Sequence, residues 1–478
     1  MKTAFEVLSQ DERAQIHERT LHILATTGMR VDTPTGRNIL REAGAAVDGS
    51  TGIVRFPPEL VERSLDQARR ELTLGGRRPG WSHRTGEGRT TLVEAGEAPL
   101  ARDRVTGEIR LGVGDDRLQG IRLIDALDEI GVYWAMVSES GQDAGDLSFT
   151  LADEVEYMAA VQRGFSKHVQ DSSENAAAMP WLLEILSAVF GGRDEVARQH
   201  PYSFLLTPIS PLVIERRGTD ACLALGGWDI PVAIMPMPMA GTTAPGSLAG
   251  TILQGNCEVI GTLCLLEAAE PGRPIIYAPI FATMNPRTGV VSGRAGHALG
   301  AACTEMANYY GLPSLTFGCD SDHFMPGMQA GYEKALSSLV PMLTRPDLLV
   351  GPGSLASAMV YSAEQTVIDC EIFRTCARIC EGIAVEDQFL EEVIGAVGPG
   401  GNFLAEKSTR RAFHEGDFFT PDLGWHDTRK AWEMAGRPDL LDQARERVDQ
   451  LLATHEVLPL GEGVERELRQ LEKKAREA

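Results

Sequence analysis

The amino-acid sequence predicts an α/β protein built on a (β/α)8 TIM barrel, with an N-terminal α+β cap and a C-terminal helical extension. From about residue 121 onward, short apolar runs alternate with helical stretches, a pattern typical of parallel strands joined by right-handed crossovers. No GxGxxG turn follows the first predicted strand and no Walker loop is present, which disfavours an open nucleotide-binding sheet. The barrel is therefore the favoured architecture.

The cap is predicted to span residues 1–120 and to consist of helices and hairpins. The stretches 9–28 and 33–48 carry apolar residues at helical spacing, and each of these helices is expected to end at a glycine. The stretch 52–72 predicts a strand, a proline turn and a third helix. Glycine, arginine and threonine are frequent in 75–113, which predicts hairpins and loops.

The barrel is predicted to occupy residues 121–403. Seven of its strands are expected where apolar runs alternate with helices, at 132–138, 168–173, 202–210, 230–238, 273–281, 313–322 and 347–354. An eighth strand is expected near 382–386. Residues 404–478 are charged and amphipathic, so they are predicted to form helices that pack on the outside of the barrel.

Composition excludes several classes of protein. The formal net charge is −22, from 45 basic and 67 acidic residues, which disfavours nucleic-acid binding. The apolar stretches are too short for a membrane span, and the polar N-terminus does not resemble a signal peptide. The 8 cysteines show no CxxC spacing, which is typical of a reducing compartment. We therefore expect a cytoplasmic protein that binds a small molecule, and a homo-oligomer.

In a barrel, the chemistry lies at the carboxyl ends of the strands. Those ends are predicted to carry many aromatic residues and methionines but few positive charges, which suits a ligand with a cationic or apolar head. The candidate binding residues of this kind are Trp134, Tyr277, Phe281, Phe324 and Tyr361. The alternative is that these rings fill the interior of the barrel.

The segment Cys319–His323 reads CDSDH and follows the sixth predicted strand. It could be a metal site, an acid/base pair or a polar loop. No second cluster with ligand spacing occurs at another strand end, which disfavours a metal. In the catalytic hypothesis Asp322 orients and His323 contacts the substrate. Glu258, inside an apolar helix, is either a buried partner or a catalytic carboxylate, and the further polar candidates are Gln329 and Gln365.

Several sequence blocks occur in an order that identifies a family resemblance. They are PMPMAGTTAPGSLAGT at 236–251, NPRTGVVSG at 285–293, YYGLPS at 309–314, QAGYEKALSSL at 329–339 and EVIGAVGPGGNFL at 392–404. Over about residues 12–455 the chain resembles the trimethylamine methyltransferase superfamily. This resemblance implies a barrel enzyme that passes a methyl group to a corrinoid protein.

The founding members of that superfamily carry pyrrolysine, which is absent from this chain. The chain therefore resembles the non-pyrrolysine branch, which implies a quaternary amine such as glycine betaine as methyl donor. Where relatives are expected to read SDAKxxDxQAG this chain reads SDHFMPGMQAG, so Phe324 and Gly327 replace a lysine and an aspartate.

The resemblance further implies that the methyl acceptor is cobalamin on a separate protein, since this chain has no DxHxxG signature. Two alternatives stay open. One is a lyase or hydrolase that uses Asp322 and His323 as an acid/base pair, and the other is a barrel that binds onium compounds without catalysis.

Overall fold

A computed structural model describes residues 5–96, 98–135, 150–292, 296–383, 390–415 and 418–478. Its centre is a sheet of eight parallel strands, in which β1 pairs with both β2 and β8. An isolated parallel bridge between Tyr277 and Ser314 joins β6 to the start of β7, so the barrel is nearly closed. The strands are β1 (Thr91–Val93), β2 (Ile130–Tyr133), β3 (His168–Asp171), β4 (Tyr202–Leu206), β5 (Val232–Ile234), β6 (Ile275–Tyr277), β7 (Leu315–Phe317) and β8 (Leu348–Val350).

A helix follows every strand of the barrel, which confirms the predicted fold class. These helices are α1 (Gly114–Ala126), α2 (Leu151–Gly164), α3 (Met179–Phe190), α4 (Arg217–Ala224), α5 (Leu248–Ala269), α6 (Gly296–Tyr310), α7 (Met328–Met342) and α8 (Ala363–Glu381). A further short helix, Arg193–Gln199, lies between α3 and β4. Because every crossover returns the chain to a parallel strand, all eight carboxyl ends meet at one mouth.

The predicted position of the first strand is wrong. Strand β1 lies within the stretch 75–113 that was predicted to form hairpins and loops, and the run at 347–354, predicted as the seventh strand, contains the eighth. Polar Thr90 and Glu94 flank the triplet TLV, so the sequence shows no longer apolar run there, and pairing on both sides forms this strand. An eighth strand was expected near 382–386, and residues 384–386 of that stretch lie outside the described residues. The division of the chain into three domains stays a prediction.

The N-terminal helices cover one side of the barrel. The helices Gln10–Thr26, Pro34–Glu42 and Pro58–Gln67 all pack against α5. The strands Met29–Val31, Ala46–Val47 and Ile53–Arg55 form a small sheet with Val213–Ile214.

Helix α5 is therefore enclosed between the cap and the barrel strands. By length and composition it could cross a membrane, but 72% of its most apolar window is buried inside the protein. Its apolar character is that of a core helix.

Three short sheets close or extend the ends of the barrel. The hairpin of Thr73–Gly75 and Ser82–Arg84 places Leu72 and Leu74 in the cluster that fills the barrel interior, and this hairpin bonds to the amino end of β4. At the mouth, the strands Met239–Ala240, Ala282–Met284 and Val291–Ser292 form one sheet, and Leu100–Arg102, Ile109–Leu111, Ser354–Leu355 and Val360–Tyr361 form another.

The C-terminal extension contains the helices Leu390–Val397, Lys407–Glu415, Arg429–Met434, Leu440–Thr454 and Glu462–Glu477. The last two pack on the outside of the barrel, as predicted. Helix Leu440–Thr454 contacts α1 and α8, whereas Glu462–Glu477 contacts α2 and α3. Arg163 of α2 forms ion pairs with two glutamates of the final helix and helps to hold it there.

A buried ion pair connects the last two barrel units. Lys334 of α7 and Asp369 of α8 are both fully buried, with Nζ and Oδ2 2.9 Å apart. The ammonium also donates to the carbonyl oxygen of Cys319, and Asp369 Oδ2 accepts from the amide of Gly353 at 2.8 Å. The pair therefore holds the loops that follow β7 and β8 at the mouth.

We expect Lys334→Met to lower the free energy of unfolding by about 3–5 kcal/mol, because it leaves the Asp369 carboxylate buried without a cation. Urea denaturation followed by circular dichroism measures the effect. The double variant Lys334→Met/Asp369→Leu should recover most of the loss, since it removes both charges. A single-variant loss below about 1 kcal/mol would contradict this role for the pair.

Candidate active site

A cavity of about 470 Å3 opens at the carboxyl ends of the barrel strands. Its walls come from residues that follow β1, β2, β5, β6, β7 and β8. The aromatic and sulfur-containing side chains of the wall are Trp134, Met237, Met239, Phe281, Phe317 and Met359. The polar ones are Thr243, Thr316, Asp320, Ser337 and Ser357, and the described lining contains no lysine, arginine or histidine.

A larger groove, of about 750 Å3, lies on the outside of the barrel between α1, α8 and helix Leu440–Thr454. Charged side chains such as Asp128, Glu129 and Arg374 line it, and it does not reach the strand ends. Because active sites of such barrels lie at the carboxyl ends of the strands, we assign the site to the mouth cavity.

Trp134 forms the wall of the cavity beside β2. Its indole lies against Gly96, where an added Cβ would come within 2.2 Å of the ring, so the backbone at the end of β1 must be glycine. The ring is almost completely buried, and its Nε1–H donates to no partner among the described residues. Trp134 therefore presents both an aromatic face and an unused donor at the mouth.

Asp320 is the carboxylate of the cavity wall. The preceding Cys319 has a φ of +45°, and the amide of Asp320 donates to Ser337 Oγ at 2.9 Å, which together fix this turn after β7. Only 5% of Asp320 is exposed, and its Oδ1 has no hydrogen-bond partner in the described part of the chain. Burial raises the pKa of Asp320 to about 6, while nearby Lys334 lowers it and Asp322 raises it further.

Sequence reasoning missed Glu94, which directly follows β1. The side chain is fully buried, and neither carboxylate oxygen has a hydrogen-bond partner among the described residues. Burial raises the pKa of Glu94 well above its usual value. Its neighbours Ala95 and Gly96 line the cavity, whereas Glu94 is not among the lining residues. An acidic residue directly after the triplet TLV was the available signal, but that triplet was not recognised as a strand.

The predicted acid/base pair does not line the cavity. Asp322 accepts from Ser292 Oγ at 2.7 Å and from Ser357 Oγ at 3.2 Å, so it links the loops that follow β6, β7 and β8. The His323 Nδ1 lies 2.8 Å from the carbonyl oxygen of Met325 in its own loop. Asp322 therefore braces the mouth, and both residues lie outside the described cavity wall.

Two of the five predicted aromatic residues, Trp134 and Phe281, line the cavity. The other three require correction. Side chains of a strand alternate, so Tyr277 points outward from β6, and its hydroxyl donates to Asn256 Oδ1 of α5 at 2.9 Å. Tyr361 is buried outside the cavity lining, and Phe324 is 58% exposed on the β7–α7 loop.

Glu258 does not line the cavity and is bonded within the protein. Its carboxylate accepts from Ser210 Oγ, the Leu212 amide and Gln254 Nε2 at 2.8–3.0 Å, which saturates it with protein donors. This geometry favours the buried-partner hypothesis over the catalytic one.

The two glutamine candidates also lie outside the cavity lining. Gln329 Nε2 donates to Glu333 Oε1 at 3.0 Å, and Gln365 Nε2 donates to Asp369 Oδ1 at 2.8 Å. Each glutamine side chain therefore hydrogen-bonds to a residue of its own helix, Gln329 in α7 and Gln365 in α8. The described residues contain no group of three or more histidine, cysteine or acidic side chains placed to hold a metal ion.

Comparison with known proteins identifies the family. The model of the trimethylamine methyltransferase (MTTB) family matches residues 1–478. The chain belongs to this family. It is 31% identical to the trimethylamine methyltransferase MttB of Methanosarcina barkeri (strain Fusaro), over 99% of this chain and 95% of that protein. It is 28% identical to the glycine betaine methyltransferase of Desulfitobacterium hafniense (strain Y51), over 94% of this chain and 93% of that protein.

Among solved structures, the monomethylamine methyltransferase MtmB of Methanosarcina barkeri aligns with 100% of this chain and 96% of that chain, at 12% identity and a TM-score of 0.49. Membership of the family confirms the expected resemblance. The protein is therefore a methyltransferase.

We expect Glu94→Gln to stabilise the protein at neutral and higher pH. The folded-state pKa of Glu94 is raised above its ordinary value of 4.5, so the stabilising effect of its proton is complete below about pH 4.5 and is lost as the pH rises through the folded-state pKa. The gain in melting temperature should therefore be greater at pH 9 than at pH 5, as measured by differential scanning calorimetry.

Glu258→Gln is the matched control, because Glu258 is also buried but has three donors. Its new amide would face those donors, and we expect a loss of about 1–3 kcal/mol. If both variants lose stability to the same extent, Glu94 has a partner like that of Glu258 and our assignment is wrong.

Proposed function

We propose that this methyltransferase takes a methyl group from a betaine-like quaternary amine, most simply glycine betaine, and transfers it to the cobalt(I) of cobalamin on a separate corrinoid protein. The observation that carries the proposal is the mouth cavity. Its walls are aromatic and sulfur-containing, and its charged lining residue is the buried carboxylate of Asp320. We further propose that the enzyme works in the cytoplasm.

A quaternary ammonium group complements these walls. Its four carbon substituents carry the positive charge and cannot donate strong hydrogen bonds, so it is held by ring faces and by dispersion. The rings of Trp134, Phe281 and Phe317 supply such surfaces. Asp320 is costly to ionise without a partner, and a permanent cation in the cavity would compensate its charge.

The chemistry needs no proton transfer. When a methyl group leaves a quaternary nitrogen, the C–N bond breaks, its electron pair stays on nitrogen, and a neutral tertiary amine departs. The corrinoid supplies a strongly nucleophilic cobalt(I) to which the methyl carbon bonds. The residues of this chain need to exclude water, position the nitrogen and direct one methyl group toward the opening.

Three observations favour a quaternary amine over trimethylamine. Trimethylamine is protonated at neutral pH, and loss of its methyl group would need further activation. The chain contains no pyrrolysine, and Phe324 occupies the expected lysine position of the family motif. A relative that covers nearly the whole chain is named for glycine betaine.

The rim of the cavity fits a docked partner. Met237 and Met359 line the cavity and are each 49% exposed, and two further apolar residues, Phe324 in the β7–α7 loop and Met328 at the start of α7, are also exposed. Apolar groups around an opening are typical of interaction sites. We propose that the corrinoid protein docks on this rim, which would bring its cofactor over the cavity.

The lyase or hydrolase alternative receives no support from the geometry, because His323 and Asp322 lie outside the cavity wall. Membership of a methyltransferase family disfavours the other alternative, a barrel that binds onium compounds without catalysis.

Purified protein mixed with cob(I)alamin and glycine betaine should consume the cobalt(I) absorbance and release one dimethylglycine per methyl group transferred. Binding of glycine betaine without consumption of cobalt(I) would show that glycine betaine is not the methyl donor. No binding of any quaternary amine would contradict the proposal.

Donor affinity should fall as the pH is lowered from 8 to 5, because protonation of Asp320 with a pKa of about 6 removes the charge that attracts the cation. Asp320→Asn should bind roughly 10-fold more weakly at pH 8 and show a flat pH profile between 5 and 8. Isothermal titration calorimetry measures both effects. Asp322→Asn, the same change two residues away, should retain the pH dependence of donor affinity. If that variant loses the pH dependence, Asp322 is the carboxylate that attracts the cation.

A further inference from the structure

The described cavity wall contains several polar side chains, and most of their hydrogens are already used. Thr316 Oγ1 donates to the carbonyl oxygen of Gly300 at 2.9 Å, Ser337 Oγ to that of Asp320 at 3.2 Å, and Ser357 Oγ to Asp322 Oδ1 at 3.2 Å. These hydroxyl groups therefore hold the mouth together and do not offer a free donor to a ligand.

Trp134 differs from these residues because its Nε1–H is buried and has no acceptor among the described residues. Only 9% of the side chain is exposed. Buried donors in folded proteins are almost always paired, so an unpaired one beside a cavity indicates an acceptor that arrives with the ligand. An indole nitrogen is a donor only, which makes the direction of that missing hydrogen bond unambiguous.

Among the described residues, Trp134 lacks an acceptor, whereas Asp320 lacks a donor. Its Oδ1 is an acceptor without a donor in the described part of the chain, and it belongs to the same cavity wall. Trp134 follows β2 and Asp320 follows β7, so β1 and β8 separate the two strands in the barrel order. The two residues thus contribute a buried donor and a buried acceptor, both unpaired among the described residues, to the cavity wall from different strand ends.

This inference rests on the proposed function. We propose that the indole N–H of Trp134 binds the carboxylate of a betaine donor while Asp320 faces its quaternary nitrogen. Trp134 is then a specificity residue, since simple tetraalkylammonium ions offer it no acceptor.

Gly96 fixes the position of this donor. The indole lies so close to the backbone of Gly96 that any side chain there would displace the ring. A phenylalanine at position 134 keeps an aromatic face in the same place but removes the N–H. The two contributions of Trp134, its ring face and its donor, can therefore be separated by one substitution.

The test compares Trp134→Phe with the unaltered protein for three ligands: glycine betaine, choline and tetramethylammonium. Calorimetry should show glycine betaine binding roughly 10-fold more weakly to the variant, because a hydrogen bond to a charged acceptor is lost. Tetramethylammonium should bind equally to both proteins, and choline should fall between them. Trp134→Leu, which also removes the ring face, should weaken all three.

A second measurement does not depend on affinity. In protein labelled with 15N-tryptophan, the indole resonance missing from Trp134→Phe identifies Trp134 among the 6 tryptophans. Glycine betaine should move this resonance downfield, and tetramethylammonium should not. Equal loss of affinity for all ligands in Trp134→Phe, or an indole resonance that ignores glycine betaine, would overturn the assignment. If no ligand binds the unaltered protein, the proposed function fails instead.

Discussion

The architecture of the mouth depends on one buried charge pair. Lys334 and Asp369 have no access to water, and their attraction is useful only because each also bonds to backbone groups. Those backbone groups belong to the loops after β7 and β8. The pair therefore fixes the positions of these two loops. The same ammonium group holds the turn at Cys319 that carries Asp320. A hydrophobic substitute could fill the space but could not bond these carbonyl and amide groups.

The site combines a rigid polar frame with an apolar interior. Hydroxyl groups and Asp322 connect the loops to one another, so their hydrogen-bonding capacity is used within the protein. In the described part of the wall, the groups left for a ligand include ring faces, methionine side chains, the indole N–H of Trp134 and the carboxylate of Asp320. Such a cavity favours a desolvated cation with little need for hydrogen bonds. Of the acidic residues and the histidine in the segment Cys319–His323, Asp320 lines the cavity, whereas Asp322 and His323 do not.

Much of the fold could be predicted from the sequence. The alternation of apolar runs and helical stretches correctly indicated the barrel, and the charged C-terminus correctly indicated outer helices. Strand β1 was not predicted because polar residues flank its apolar pair on both sides, and its formation depends on partners distant in the chain. Among the candidate aromatic residues, Trp134 and Phe281 line the cavity. Tyr277 points outward from the barrel because side chains alternate along a strand. Glu94 and Asp320 stand out only in the folded chain, where burial raises the pKa of each carboxyl group.

The sequence by itself determined the family, the barrel and the apolar, aromatic character of the strand ends, because these follow from residue types and their order. Tertiary structure alone decided which side chains face the cavity and which of their polar atoms remain unpaired. Glu258 shows the reason, since a carboxylate in an apolar helix can be catalytic or structural, and only the folded chain shows that Ser210 and Leu212 donate to it. Pairing and burial arise between segments far apart in the chain, so no local pattern encodes them.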